Sequence, residues 1–290
     1  MVEHRVHMSP SERFNAEQRT RWNGPEGEYW TRRHDRLDRT LSPVLFPLLH
    51  FAAPRSGETI IDVGCGCGAT TLELARAVGP SGRVIGLDLS EPMLALARQR
   101  LSGIPNAACR LGDAARLSLD DLAADLIVSR FGVMFFGDPV AAFANLRTGL
   151  APGGRLRFAC WRPLDENPWL QVPLHAVYEH VAPLPKPEPE EPGGFSFADT
   201  ARVARILMAA GFTAPSFQPL NLQIDIAAGG SIEDAVLQAS ETGPASRALA
   251  DQPEDLRAAA IGSIRRALKP YATPAGVKLP AAVWLVAAHS

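Results

Sequence analysis

A short β-branched run ending near an acid, followed by three alternating glycines and a helical pattern, constrains this 290-residue chain more than any other stretch. Thr59-Ile60-Ile61-Asp62-Val63 reads as a strand, Gly64-Cys65-Gly66-Cys67-Gly68 as a tight turn, and Ala69-Thr70-Thr71-Leu72-Glu73-Leu74 as the start of a helix. Glycine lets the backbone turn sharply and approach a ligand with no Cβ in the way. The first turn of the following helix aims N–H groups without helical partners at whatever the turn holds. The unit is a cradle for a nucleotide-like cofactor.

Two cofactors compete for it. Gly64, Gly66 and Ala69 satisfy the dinucleotide fingerprint, whose last position tolerates alanine. Asp88, 24 positions after Gly64, fits the ribose-binding acid expected about 20 residues on. The glycines alone therefore decide nothing. Asp62 discriminates better: an acid two residues before the first glycine repels a pyrophosphate but attracts the ammonium and sulfonium of S-adenosylmethionine. The third glycine, Gly68, gives an alternation suited to a methionine arm.

Further pieces follow in order. Arg83-Val84-Ile85-Gly86-Leu87-Asp88-Leu89 is a second strand, its acid placed for two ribose hydroxyls. Ser90-Glu91-Pro92-Met93-Leu94 opens a helix with a serine cap and an early proline. Ala107-Ala108-Cys109-Arg110-Leu111-Gly112-Asp113-Ala114 is a third strand closing on an acid that can accept from an adenine amino group. With Asp125–Phe136 and Leu150–Trp161, these segments resemble the class I S-adenosylmethionine-dependent methyltransferases. Phe131-Gly132-Val133-Met134-Phe135-Phe136-Gly137-Asp138-Pro139 and Leu150-Ala151-Pro152-Gly153-Gly154-Arg155-Leu156 resemble the ubiquinone/menaquinone-biosynthesis C-methyltransferase group. The resemblance implies S-adenosyl-L-methionine as cofactor, with contacts at Asp62, Gly64, Cys65, Gly66, Asp88, Leu89, Met93, Gly112, Asp113, Ala114, Ser129 and Trp30.

Alternating strands and helices predict an α/β, Rossmann-like, doubly wound sheet with its ligand at the carboxyl ends of the strands. The resemblance implies seven strands in the order 3-2-1-4-5-7-6, the last antiparallel. Residues 1–50 are expected to form an N-terminal helical lid, with Tyr29 and Trp30 either packing on the methionine arm or anchoring a helix. Residues 51–161 form the cofactor-binding half. Residues 162–194 are read as a substrate wall and flap: a helix over Asn167–His180, then an extended proline-rich loop over Pro183–Pro192. A dimer contact is the alternative. Ala151-Pro152-Gly153-Gly154 reads as a turn before a strand at Arg155–Trp161. Residues 195–290 complete the domain, with Ser216–Ile226 and Ala281–Ala287 as its last strands and a helical insertion at 231–272, its helices at Ser231–Glu241 and Pro253–Lys269.

Methyl transfer needs little from a protein beyond alignment and exclusion of water. Arg130, after the fourth strand, is a candidate to bind a substrate carboxylate or enolate oxygen, or to pair with a structural acid. His175, with His180, His34 and Glu179 behind it, is a candidate base for an acceptor that must lose a proton. The four cysteines lack the paired spacing of a metal site and read as small, inert packing residues, so no metal is expected. Basic and acidic residues nearly balance, 29 against 31, which leaves no electrostatic footprint for nucleic acid. Ser129-Arg130-Phe131-Gly132 also stands where amide-nitrogen methyltransferases carry Asn/Asp-Pro-Pro-Tyr. No apolar run approaches the ~18 residues of a membrane span. The expectation is a cytoplasmic monomer or homodimer that methylates oxygen or carbon of a small molecule, quinone-like or from secondary metabolism. N-methylation of a small amine and a non-catalytic cofactor-binding module are the rival readings.

Overall fold

The β-branched runs line up in one mixed sheet in the computed structural model, which describes residues 10–185, 188 and 191–290. Three helices precede the sheet: α1 (Pro10–Trp22), α2 (Pro25–Arg32) and α3 (His34–Ala52). Then β1 (Thr59–Val63) leads into α4 (Ala69–Val78), and β2 (Arg83–Asp88) into α5 (Glu91–Arg100). The strands β3 (Ala107–Leu111) and β4 (Ala124–Arg130), the helix α6 (Pro139–Thr148) and the strand β5 (Leu150–Trp161) follow. Next come α7 (Pro168–Val177), α8 (Thr200–Ala209) and β6 (Thr213–Asp225). The chain ends with α9 (Ile232–Glu241), α10 (Gly243–Leu249), α11 (Glu254–Leu268), the two-residue β7 (Ala272–Thr273) and β8 (Gly276–His289).

The strand order is β3-β2-β1-β4-β5-β8-β6, with β7 pairing only against the start of β8. The first five strands pair in parallel, and β8 runs antiparallel to both β5 and β6. Setting the short β7 aside, this is the expected 3-2-1-4-5-7-6 order. Helices cover both faces, so Ile60, Ile61, Leu126, Ile127 and Val128 are fully buried, as a parallel sheet requires. Phe143 of α6, Phe158 of β5 and Phe197 pack with ring centroids 5.8–6.1 Å apart. Each such ring contributes about 2–3 kcal/mol by burial.

Side chains fix the helix starts. Ser90 accepts from Met93 N, Asp138 from Ala141 N, and Ser231 forms a capping box with Asp234. Three details differ from the sequence expectation. Residues 151–154 are a turn by composition but lie inside β5, where the β4–β5 register shifts between Ala124 and Leu126 and Gly153 takes φ +76°. The insertion holds an additional helix, α10, whose Gly243-Pro244 start resembles a breaker. Proline is tolerated in a first turn because its missing N–H has no helical partner there. The helix expected over Asn167–His180 is shorter, Pro168–Val177. Within the proline-rich loop, Lys186, Pro187, Pro189 and Glu190 lie outside the described residues.

Candidate active site

The carboxyl ends of β1 to β4 meet along one rim. Gly64 N and Cys65 N both donate to Leu87 O, at 2.8 and 3.1 Å, binding the glycine loop to β2. Gly64 has φ +68°, and a Cβ there would stand 2.7 Å from Gly132 Cα. The loops after β1 and β4 therefore touch backbone to backbone, which only glycine permits. Asp88 is fixed by two backbone donors: Gly66 N to Oδ2 at 2.8 Å and Ser90 N to Oδ1 at 2.9 Å. Each oxygen keeps further acceptor capacity. Burial raises its pKa, and those N–H groups oppose the rise. Gly112 N donates to Asp88 O, and Asp113 Oδ1 accepts from Ala115 N. Three acids thus stand at three neighbouring strand ends.

Asp62 is fully enclosed. Thr71 Oγ1 donates to its Oδ2 at 2.7 Å, while Oδ1 has no hydrogen-bond partner. Desolvation lifts its pKa to about 6, against the opposing pull of Thr71 and of Arg130. Arg130, at the end of β4, also has a buried atom without a partner, Nη1. Burial lowers its pKa, and Asp38 and Asp62 counter that. A buried carboxylate oxygen and a buried guanidinium nitrogen, each lacking a mate, are costly unless something else binds them.

The N-terminal helices close over this rim. Asn15 Oδ1 accepts from Gly137 N and its Nδ2 donates to Asp113 Oδ2. Asn23 spans Leu89 O and Glu91 N, and Ser90 Oγ donates to Trp22 O. Trp22 packs edge-on against Trp30 and Phe135. Trp30 meets the glycine loop through its carbonyl, which accepts from Cys67 Sγ at 3.9 Å. Arg100 donates to Cys67 O and pairs with Asp38, joining α5, the loop and α3. Neither the two asparagines nor Arg100 stands in a pattern that sequence could single out, because their partners are 33 to 122 residues away.

The remaining candidates separate. Met93 Cε lies where a Cβ on Gly66 would be, at 2.9 Å, so it floors the glycine turn. Ala114 is buried, and its carbonyl accepts from Asn145. Ser129 Oγ donates to Val63 O and accepts from Gly132 N, so its hydroxyl joins β1 to β4. His175 is exposed on α7, between the buried Leu174 and Ala176. His180 bonds Ser263 and His34 bonds Thr31 O. Cys65, Cys67 and Cys160 are buried as expected. Cys109 departs from the inert reading: it is partly exposed, and the hydrogen bond from Cys65, with Arg98 nearby, lowers its pKa.

Residues 60–154 match the family described as a methyltransferase domain. Over 180 residues the chain is 33% identical to nocamycin O-methyltransferase of Saccharothrix syringae, covering 59% of this chain and 64% of that protein. Over 100 residues it is 39% identical to demethylmenaquinone methyltransferase of Staphylococcus carnosus, covering 34% of this chain and 42% of that protein. The chain thus spans less than two thirds of the length of these curated relatives. Among solved structures, the YcgJ protein of Bacillus subtilis shares the fold with a TM-score of 0.54 at 17% identity, covering 85% of this chain and 97% of that one. The matched stretch, residues 60–154, holds the glycine loop and the strands β1 to β4, and over it the chain is similar to methyltransferases. Demethylmenaquinone methyltransferases of Staphylococcus resemble it over about a third of its length.

Proposed function

We propose that the chain transfers a methyl group from S-adenosylmethionine to an oxygen or carbon of a small-molecule acceptor, quinone-like or from secondary metabolism. The observation that carries this reading is the pair of unpartnered buried atoms, Asp62 Oδ1 and Arg130 Nη1. An amino-acid end bearing both ammonium and carboxylate complements the two at once. A pyrophosphate suits Arg130 but is repelled by Asp62. The reading therefore moves Arg130 from the acceptor to the cofactor. Asp88 would take the ribose hydroxyls on its remaining lone pairs and Asp113 the adenine amino group. Gly64, Cys65, Gly66, Leu89, Met93, Gly112 and Ala114 would form the walls between them.

Bound there, the cofactor supplies a methyl on positively charged sulfur, open to in-line displacement. The chain's own share is to align the acceptor and, through α1 and α2, to exclude water. His175 is exposed, and His180 and His34 bond Ser263 and Thr31 O, so we assign no histidine as a base at the rim. Burial and Glu241 push the Tyr29 phenol up to about 12, so it stays protonated at neutral pH and supplies no phenolate base. The acceptor then arrives as a carbon nucleophile or as a hydroxyl acidic enough to ionise unaided. The names of the relatives, an O-methyltransferase and a demethylmenaquinone methyltransferase, support that pair of acceptor atoms.

Calorimetry with S-adenosylhomocysteine tests the cofactor half. Binding is expected, and Asp62→Asn and Arg130→Met should each weaken it by about tenfold or more. Preferential binding of NAD, or unchanged affinity in both variants, would overturn the assignment. Labelled S-adenosylmethionine offered with phenols, β-dicarbonyl compounds and amines tests the acceptor half. Label in the amines alone would favour N-methylation. We place the enzyme in the cytoplasm as a monomer or homodimer, which light scattering distinguishes.

A further inference from the structure

The glycine loop carries a thiol whose position the cofactor reading leaves unexplained. Gly86, in the middle of β2, has no side chain, and the space a side chain would take is filled. A Cβ there would stand 2.8 Å from Cys65 Sγ, 3.0 Å from Cys65 Cβ and 3.0 Å from Thr71 Oγ1. Cys65 therefore reaches from the loop across β2, on the face that α4 covers.

Cys109 comes to the same spot from β3. Gly86 and Cys109 are register partners in the parallel β2–β3 pair. Partners in register project from the same face of a sheet, on strands about 4.8 Å apart. The Cys109 side chain thus stands beside the space that Cys65 Sγ fills, and the two thiols share a hydrogen bond. That bond raises the pKa of Cys65 and lowers that of Cys109. Burial raises Cys65 further, while Arg98 of α5 supports the Cys109 thiolate against burial and against Asp62 and Asp88. Cys65 Sγ also lies 3.9 Å from Gly66 O, a second acceptor for the same proton. Exposure divides the pair in the same sense: Cys65 is buried beneath the loop, and Cys109 is partly open to solvent. The other two thiols are turned elsewhere, Cys67 Sγ to Trp30 O and Cys160 Sγ to Phe197 O.

We propose that Cys65 and Cys109 form a reversible oxidation site, at which a low-molecular-weight disulfide links them and so pulls the glycine loop out of its cofactor-binding position. The Cys109 thiolate attacks one sulfur of the reagent, forming a mixed disulfide and expelling a thiolate. Cys65 Sγ then attacks the Cys109 sulfur, its proton passing to the thiolate already expelled, and the second half of the reagent leaves as a thiolate. The two protein sulfurs give up two electrons, and the reagent disulfide takes them. A sulfur–sulfur bond is shorter than the hydrogen bond it replaces, so it draws Cys65 toward β3. Cys65 N bonds Leu87 O, and the next residue gives its N–H to Asp88 Oδ2. The shift therefore loosens the carboxylate that we assign to the ribose. The effect on binding rests on the methyltransferase reading, whereas the link itself does not.

The test incubates the full chain with oxidised glutathione and maps its disulfides by peptide mass spectrometry without reduction. Calorimetry reads the affinity for S-adenosylhomocysteine before and after. A Cys65–Cys109 link is expected, with affinity lowered by about tenfold or more and restored by dithiothreitol. Cys109→Ala should bind S-adenosylhomocysteine as the parent does and keep that affinity through the same treatment. Absence of any link, a glutathione adduct that stays on Cys109, or a link from Cys65 to Cys67 would each overturn the proposal. So would an affinity that the Cys65–Cys109 link leaves unchanged. The map and the dithiothreitol reversal use the parent alone, so they decide the matter even where the variant does not fold. Failure of the reduced parent to bind S-adenosylhomocysteine would instead remove the methyltransferase reading, with the Cys65–Cys109 link still read in the map.

Discussion

At the scale of single residues, burial sets the chemistry of the rim more than composition does. Asp62 titrates near 6 because it is desolvated, and its unfolded value lies near 4. The folded chain therefore binds an extra proton between those values. Asp62 opposes folding above about pH 6, and that cost is relieved as the pH falls through the window. Cofactor binding has the opposite sign, because an ammonium group favours the carboxylate. The affinity for S-adenosylhomocysteine, measured by calorimetry, should fall below about pH 6 by up to about tenfold per unit. Asp88 shifts in the same direction, so Asp62→Asn should flatten most of the slope and leave a remainder. A parent affinity that does not change with pH would sink the ammonium contact. Cys109 gives a second outcome at this scale. It is partly exposed with a lowered pKa, whereas burial pushes Cys67 up to about 12 and raises Cys160. Iodoacetamide should therefore label Cys109 first, as peptide mass spectrometry can read. Early labelling of Cys67 or Cys160 would mean that the loop or the core opens.

At the scale of elements, two glycines of one loop should respond differently. Alanine at Gly64 meets backbone, Gly132 Cα at 2.7 Å, whereas alanine at Gly66 meets only the end of a flexible side chain, Met93 Cε. Both positions hold positive φ, +68° and +54°, which costs a residue with a Cβ about 1–2 kcal/mol. Gly66→Ala should lose about that much in urea denaturation. Gly64→Ala should lose about 3 kcal/mol or more and, by parting the β1 and β4 loops, also lose cofactor binding. Equal losses would mean that the backbone contact is unimportant. This loop was legible in sequence because strand, turn and helix are local patterns, each written in neighbouring residues. The proline and glycines at 151–154 misled for the same reason. They fall at the register shift of the β4–β5 pair, where Leu150 pairs with Ala124 and Arg155 with Leu126, so pairing before and after carries the strand across them, and no local signal reports a neighbouring strand. Similarly, α10 begins with a Gly-Pro pair that would end most helices, and it packs against α7 and α9.

At the scale of the whole molecule, α3 acts as a strap between two halves that sequence could read only separately. On one side, Asp38 pairs with Arg100, which also holds Cys67 O in the glycine loop. On the other, Arg36 pairs with Asp234 and also donates to the Asp234 and Ile226 carbonyls, while Arg33 reaches Glu241. These partners lie 62 to 208 residues apart, so charge counting along the chain could not pair them. The strap makes the two ends separable by mutation. Asp38→Asn should free Arg100 from α3 and slacken the loop, weakening S-adenosylhomocysteine binding several-fold with little effect on α9. Arg36→Met removes a guanidinium that is largely buried, its side chain 14% exposed. It should cost about 2 kcal/mol of stability. Amides of 232–249 should exchange faster, with cofactor affinity unchanged, because the loop keeps its own tie through Asp38. Calorimetry and hydrogen exchange on the two variants decide the matter. If Arg36→Met weakens the cofactor as much as Asp38→Asn does, the helix transmits strain along its length, and the two halves respond as one body.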